Sequence, residues 1–270
     1  MPMITLPSNK KIHDLMKKYR HKRTFSFKYQ DQVLWIKQPF EDATSFYRTG
    51  LLKIGRLCLI VLAKITGNPL FIPTSVKAPY ESLSHEAQRI EQLKQHGFAV
   101  PTLLDVQPNY LLMQDSGPPL SQVLNEVNPQ QANSIIKQLS QQLARMHNLG
   151  FYHSRPALRD FTYQNGVITF LDFEEDLSQV LTTEQAILRD GLVYIHALFR
   201  KLDSKTLIHK AISEYKEHIH TDYWDTLVIE IKRYRLIYKI LSLFSNKIGK
   251  DGQAIYLMLN YFIHPTLLKK

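Results

Sequence analysis

The sequence carries a single cysteine, Cys58, so no disulfide can close within the chain and nothing in it asks for an oxidising compartment. Its eleven histidines are scattered, and none stands with cysteine at the spacing of a zinc site. The first residues lack the apolar run and small-residue cleavage site of a secretory signal. The most apolar segment, at 47–66, falls well short of the ~20 apolar residues that cross a bilayer. Internal repeats and low-complexity segments are also lacking. These absences argue against disulfide scaffolds, zinc modules, membrane-spanning chains and solenoids, and the expectation is a cytoplasmic globular protein.

What is present is a core and a surplus of positive charge. With 270 residues, 44% hydrophobic and 21% charged, the chain can fill one large domain or two lobes sharing a cleft. The formal charge of +10 favours an anionic partner, whether nucleic acid, anionic lipid or phosphorylated ligand. Lys10, Lys11, Lys17, Lys18, Arg20, Lys22 and Arg23 fall within fourteen residues. They make an N-terminal arm over 1–23 that either is simply solvated or meets an anionic surface. Aromatic residues do not interleave with this cluster, which argues against a nucleic-acid module.

Along the chain, "TFSFKYQDQVLWIKQP" reads as two strands around a turn near Asp31, with Phe25, Phe27 and Tyr29 alternating in the first. Residues 47–66 read as a helix with Lys53, Arg56 and Lys64 on one narrow face and aliphatics over most of the rest. Such a helix suits a membrane interface, or packs on the domain in the ordinary way. A further helix is expected from Ser84 to Gly97, followed by two short strands in "PTLLDVQPNYLLMQDSG". Asn165-Gly166 signals a two-residue hairpin, and from about residue 183 the pattern is helical to the end.

Three acids stand where apolar residues belong. Glu86 falls between Leu83, Ile90 and Leu93 on its helical face, so it is expected to be buried and to need a cation. Lys37, on the strand "VLWIK", is the obvious partner. The pair would aim that lysine at phosphate oxygens, or else be a structural ion pair. Asp190 sits in a helix that is apolar almost all round, where it is expected to accept backbone N–H groups from a loop. Asp172 ends the apolar run "VITFL", twelve residues after Asp160, and two carboxylates converging there would hold magnesium.

With these parts in this order the chain resembles the protein-kinase-like fold, and most of all the bacterial lipopolysaccharide kinases of the Kdo/WaaP type. The resemblance spans roughly residues 25–200 and implies an α+β, bilobal fold. Its lobes would be a small β-rich N-lobe over 24–115 and a larger helical C-lobe over 116–270. It implies ATP and Mg2+ as cofactors. Lys37 would be the phosphate-contacting lysine and Glu86 its helix partner. Gln114, Asp115 and Ser116 in "LLMQDSG" would offer backbone groups to adenine. Asp172 in "LDFE" would be the metal-binding aspartate, with Glu174 where glycine is usual, and Asp190 would brace the catalytic loop.

Two departures matter. "FKYQDQVLW" has no glycine where a phosphate-gripping loop would have several. Laid on HRDxxxxN, His153 matches the histidine, Arg155 replaces the proton-accepting aspartate and Asp160 replaces the asparagine. Arginine cannot accept a proton at neutral pH, so Asp160 is either a relocated base or a metal ligand with no base present. General-base help contributes ~10²–10⁴-fold, whereas most phosphoryl-transfer catalysis is positioning and charge neutralisation, so relocation is tenable. The expected catalytic residues are therefore Lys37, Arg155 and Asp160. The leading expectation is a kinase for a lipid-linked sugar hydroxyl, held peripherally at the inner face of the cytoplasmic membrane. A protein kinase of the same fold and a non-catalytic pseudokinase are the alternatives.

Overall fold

The computed structural model describes residues 6–39, 68–72, 79–243 and 249–264. The amphipathic helix expected at 47–66, with Lys53, Arg56 and Lys64, lies outside them. The chain forms two compact units, Met1–Pro118 with Thr162–Gln179, and Pro119–Phe161 with Val180–Lys270. The architecture is α+β, as expected: a small sheet-based N-terminal unit and a larger helical one. The hairpin near residue 165, which a boundary at 115/116 assigns to the C-lobe, groups with the sheet unit instead.

In the first unit an antiparallel sheet runs in the order β1-β2-β4-β3. Its strands are β1 (Thr24–Tyr29), β2 (Gln32–Lys37), β3 (Leu103–Gln107) and β4 (Tyr110–Gln114). Gln30, at φ 52°, turns the chain between β1 and β2 and brings Phe25 opposite Ile36. Lys37, the last residue of β2, lies opposite Leu111 of the central β4.

Among the described residues, two helices cover this sheet. Helix α1 (Asn9–Lys18) starts at Ser8, whose hydroxyl caps Lys11 N–H at 3.4 Å. It buries Ile12 against Phe25, Leu34, Ile36, Tyr110 and Leu112, with Leu15, Met16 and Tyr19 beside it. The basic arm is thus largely a helix built into the domain, with its lysines projecting from an apolar seam. Helix α2 (Pro79–Gln95) packs Leu83 on Leu111 and Met113. It begins at Pro79 rather than at the expected Ser84, because proline fits a first helical position while Ser84 is exposed within the helix. The strands β5 (Phe161–Gln164) and β6 (Val167–Phe170) form the expected hairpin, with Asn165 at φ 51° and Gly166 at φ 82°. Phe170 N–H donates to the Ala99 carbonyl at 2.9 Å and fixes the hairpin to the segment after α2.

The second unit holds α3 (Leu120–Glu126), which the sequence reading did not anticipate, and α4 (Pro129–Asn148). After them come α5 (Thr183–Lys201), α6 (Lys205–His218), α7 (Thr221–Arg233), α8 (Arg235–Leu243) and α9 (Lys250–Ile263). Asn128 caps α4 ahead of Pro129, and Thr182 with Gln185 closes a capping box on α5. Helix α4 buries Ile135, Ile136, Leu139 and Leu143, the helical repeat visible in the sequence, and packs along α6. Helix α5 buries one broad side, Ala186, Ile187, Gly191, Tyr194, Ile195, Ala197 and Leu198, with Asp190 among them. No helix among the described residues is long and apolar enough to cross a membrane.

Candidate active site

In the first unit the site begins at Lys37, only 5% exposed at the end of β2. Its Nζ lies 2.6 Å from Glu86 Oε2, 2.8 Å from Asp172 Oδ1 and 3.2 Å from Glu174 Oε2. Each partner arrives on a different element. Glu86 is carried in by the apolar face of α2, on which Leu83, Ile90 and Leu93 are also buried. Asp172 and Glu174 follow β6, whose Ile168, Thr169 and Phe170 are buried. Burial alone would push the Lys37 pKa down, but the three carboxylates outweigh it, and the ammonium is held well above the usual lysine range. Glu86 is pushed up by burial, against the pull of Lys37.

Arg23 completes the cluster. Its guanidinium lies 2.5 Å from Glu174 and donates to the Ser82 hydroxyl at 2.8 Å, linking the start of β1 to α2 and to the segment after β6. Among the described residues, three carboxylates then face two cations. One oxygen from each of Glu86, Asp172 and Glu174 lies within 4.8 Å of the others. Hard oxygen donors in net negative surroundings fit a magnesium ion. Asp172 itself has φ 65°, a left-handed backbone that aspartate tolerates better than most residues.

The end of β4 differs from the simplest expectation. The Gln114 N–H bonds the Thr102 carbonyl at 3.0 Å and the Asp115 N–H bonds the Val33 carbonyl at 3.3 Å, so both donors serve the sheet. The Asp115 carboxylate accepts from Trp35 Nε1 at 2.6 Å and from Gly117 N–H at 3.3 Å, and Ser116 Oγ accepts from Thr162 at 3.1 Å. A nucleobase at this segment would have to use groups other than those two N–H donors.

In the second unit Asp190, fully buried, does what its place in an apolar helix predicts. Its Oδ2 accepts the His153 N–H and its Oδ1 accepts the Ser154 N–H at 2.8 Å. Ser154 is held at φ 85°. His147, also buried, approaches Asp190 Oδ2 through Nε2 at 3.3 Å and Tyr215 Oη through Nδ1 at 2.6 Å. Burial first, then the Asp190 charge, pushes the Tyr215 phenol well above its usual range, so it stays neutral. Asp160, in a short 3-10 turn, has Arg155 Nε at 3.6 Å and Arg159 Nε at 3.4 Å.

Lys37, Glu86 and Asp172 are therefore gathered in one unit, and His153 with Asp190, and Arg155 with Asp160, in the other. Asp160 and Asp172, read from the sequence as a magnesium pair, belong to different units. The carboxylates beside Asp172 in its own unit are Glu86 and Glu174. Sequence reasoning did not assign roles here to Arg23, Ser82, Glu174, His147 or Tyr215. The signal for Glu174 was its place two residues after Asp172. For His147 it was a polar residue on the buried side of α4. Strand lysine, helix glutamate, hairpin aspartate and loop-bracing helix aspartate follow one another in the protein-kinase-like order that the resemblance implies.

No protein-family model matches the chain. An uncharacterised protein of Haemophilus influenzae is 26% identical over 255 residues, covering 93% of this chain and 94% of its own length. Among solved structures, WaaP in complex with acyl carrier protein is similar with a TM-score of 0.44 and 12% identity, over 86% of this chain and 84% of that one. The gentamicin–APH(2")-IIa complex is similar with a TM-score of 0.46 and 9% identity, over 97% of each chain. The ADP-bound aminoglycoside phosphotransferase APH(2'')-Ib gives 0.44 and 9%, over 95% of this chain and 99% of that one.

Proposed function

We propose that the chain is an ATP- and magnesium-dependent phosphotransferase whose acceptor is a hydroxyl of a membrane-associated glycolipid, a lipopolysaccharide core sugar by family resemblance. One observation carries the phosphotransferase part: a buried lysine held 2.6 Å from a helix glutamate and 2.8 Å from a hairpin aspartate. A purely structural ion pair needs one carboxylate. Three, with a lysine kept protonated among them, make a cluster of cation and oxygen donors suited to a polyphosphate and its counter-ion.

Asp172 and Glu174 are the residues that would hold magnesium. The ion, when bound, would neutralise charge on phosphate oxygens. Lys37 would bind a phosphate oxygen, with Glu86 keeping its ammonium oriented while the other carboxylates are engaged. Asp190 would hold the His153–Ser154 backbone still, so that the loop carrying Arg155 and Asp160 does not reorganise during the reaction. Asp160 would take the acceptor hydroxyl proton, and Arg155 would stabilise charge on the transferring group. The acceptor class rests on the resemblance and on the net positive charge.

The pseudokinase alternative has its own supporting observation: Arg155 stands where the proton-accepting aspartate belongs. Thermal stability with ATP, with and without magnesium, on wild type and Asp172→Asn separates the two. A ligand at ~100 times its dissociation constant stabilises by about 2.7 kcal/mol. A magnesium-dependent rise that is lost in the variant supports the proposal, and no rise at saturating ATP overturns it. Turnover on lipid-linked sugars that vanishes in Asp160→Asn, with nucleotide binding retained, would assign the base.

A further inference from the structure

We infer that the outer face of α8 docks the protein on an anionic lipid surface. Leu236, Ile240 and Leu243 are 69%, 51% and 78% exposed, far beyond what a helix packed into a globular core leaves in water. Their spacing of four and then three residues puts them on one face. The opposite face is where α8 is anchored. Ile237, Tyr238 and Leu241 are half-buried there, Tyr238 donates to Asn260 at 3.1 Å, and its ring stacks on Tyr256 at 5.5 Å between centroids. The aliphatic triad is therefore not the helix's attachment to its own domain.

Charge decides the occupant. Residues 231–250 contain six lysines and arginines and no acidic residue. Arg235 and Lys239 are exposed on α8 beside the triad, Lys232 and Arg233 close α7, and Lys250 opens α9, all exposed. Glu230 engages Arg233 at 2.9 Å. An apolar stripe flanked by basic side chains is the pattern of an interfacial helix, whose aliphatics enter the acyl boundary while the cations meet headgroup phosphates. A second copy fits poorly, because an isologous contact would set this basic face against itself in a chain of net charge +10. A stable protein interface also needs roughly 1,200 Å² or more, which three side chains do not supply.

This surface concerns a different segment from 47–66 and does not depend on the nucleotide site, so it stands or falls separately from the phosphotransferase proposal. The test is flotation of the full chain with vesicles rich in phosphatidylglycerol and, separately, vesicles of phosphatidylcholine alone. Wild type should bind the first, less so at high salt, and bind the second weakly. Replacing Leu236, Ile240 and Leu243 by serine should lower partitioning at least ~10-fold, with the melting curve and any ATP-induced stabilisation unchanged. Lys239→Glu alone should weaken binding to the anionic vesicles and leave the weak phosphatidylcholine binding as it was, which keeps a test available if the triple variant misfolds. Wild type that ignores anionic vesicles overturns the proposal. So does undiminished binding by the folded triple variant, or by Lys239→Glu, which would move the contact elsewhere. Self-association that the triple variant abolishes, with no vesicle binding, would make the face an interface between copies instead.

Discussion

Ser154 N–H donates to Asp190 Oδ1 at 2.8 Å while Ser154 itself is held at φ 85°. The two facts are one device. A left-handed backbone at a non-glycine residue costs ~1–2 kcal/mol and persists only when the surroundings impose it. Here the imposing group is a fully buried carboxylate on α5 that also accepts the neighbouring His153 N–H.

Asp190→Ala removes both acceptors and should destabilise the chain by roughly 3–6 kcal/mol, at ~1.5–3 kcal/mol for each hydrogen bond to a charged group. Urea unfolding measures it. Adding Ser154→Gly should recover about 1 kcal/mol, because glycine adopts the left-handed backbone without help. No recovery would mean that the loop relaxes to another conformation once Asp190 is gone.

Lys37→Met leaves Glu86, Asp172 and Glu174 facing one another, with Arg23 still paired to Glu174. Removing one partner of a buried pair costs about 3–5 kcal/mol, since the other charge is stranded. The double variant Lys37→Met/Glu86→Leu should lose clearly less than the two single losses added, a coupling that a double-mutant cycle reads directly.

Glu86 also sets a pH dependence. Its folded-state pKa lies above the ordinary value of 4.5, chiefly through burial. The folded chain therefore holds its proton more tightly than the unfolded chain does. The stabilisation linked to this group is complete below 4.5 and is lost as pH rises through the raised folded value. Glu86→Gln should flatten that part of the stability profile, measured as urea midpoint against pH. An unchanged profile would assign the slope to another group.

Gly117 has φ 95°, and a Cβ there would lie 2.6 Å from Gln164 Cβ and 3.2 Å from the Tyr163 carbonyl. Gly117→Ala should destabilise by roughly 1–3 kcal/mol. Gln164→Ala should not rescue it, because the clashing Cβ remains. A thermal melt of both variants decides the matter.

The parts of the fold legible in the sequence were those written locally. Asn165-Gly166 specifies its own turn, and the placement of Glu86 and Asp190 inside apolar faces follows from helical periodicity alone. What escaped was written in two places at once. Arg23 reaches Glu174 and Ser82 across the fold, and no spacing rule connects them. In the N-terminal arm Ile12, Leu15, Met16 and Tyr19 recur at helical spacing within a run of basic residues, so the packing stripe is local but lies under the charge. Long basic side chains can leave their heads in water while their helix is built into a core.

The left-handed backbone of Asp172 bears on how the residue can be interrogated at all. Alanine there would change two variables together, erasing the carboxylate and placing an unfavourable side chain on a φ of 65°. Asparagine shares aspartate's tolerance of that conformation and nearly its shape, so it alters charge while leaving the chain's path alone. At this position the conservative exchange is the more informative one, and a severe alanine phenotype would by itself say little about metal or phosphate.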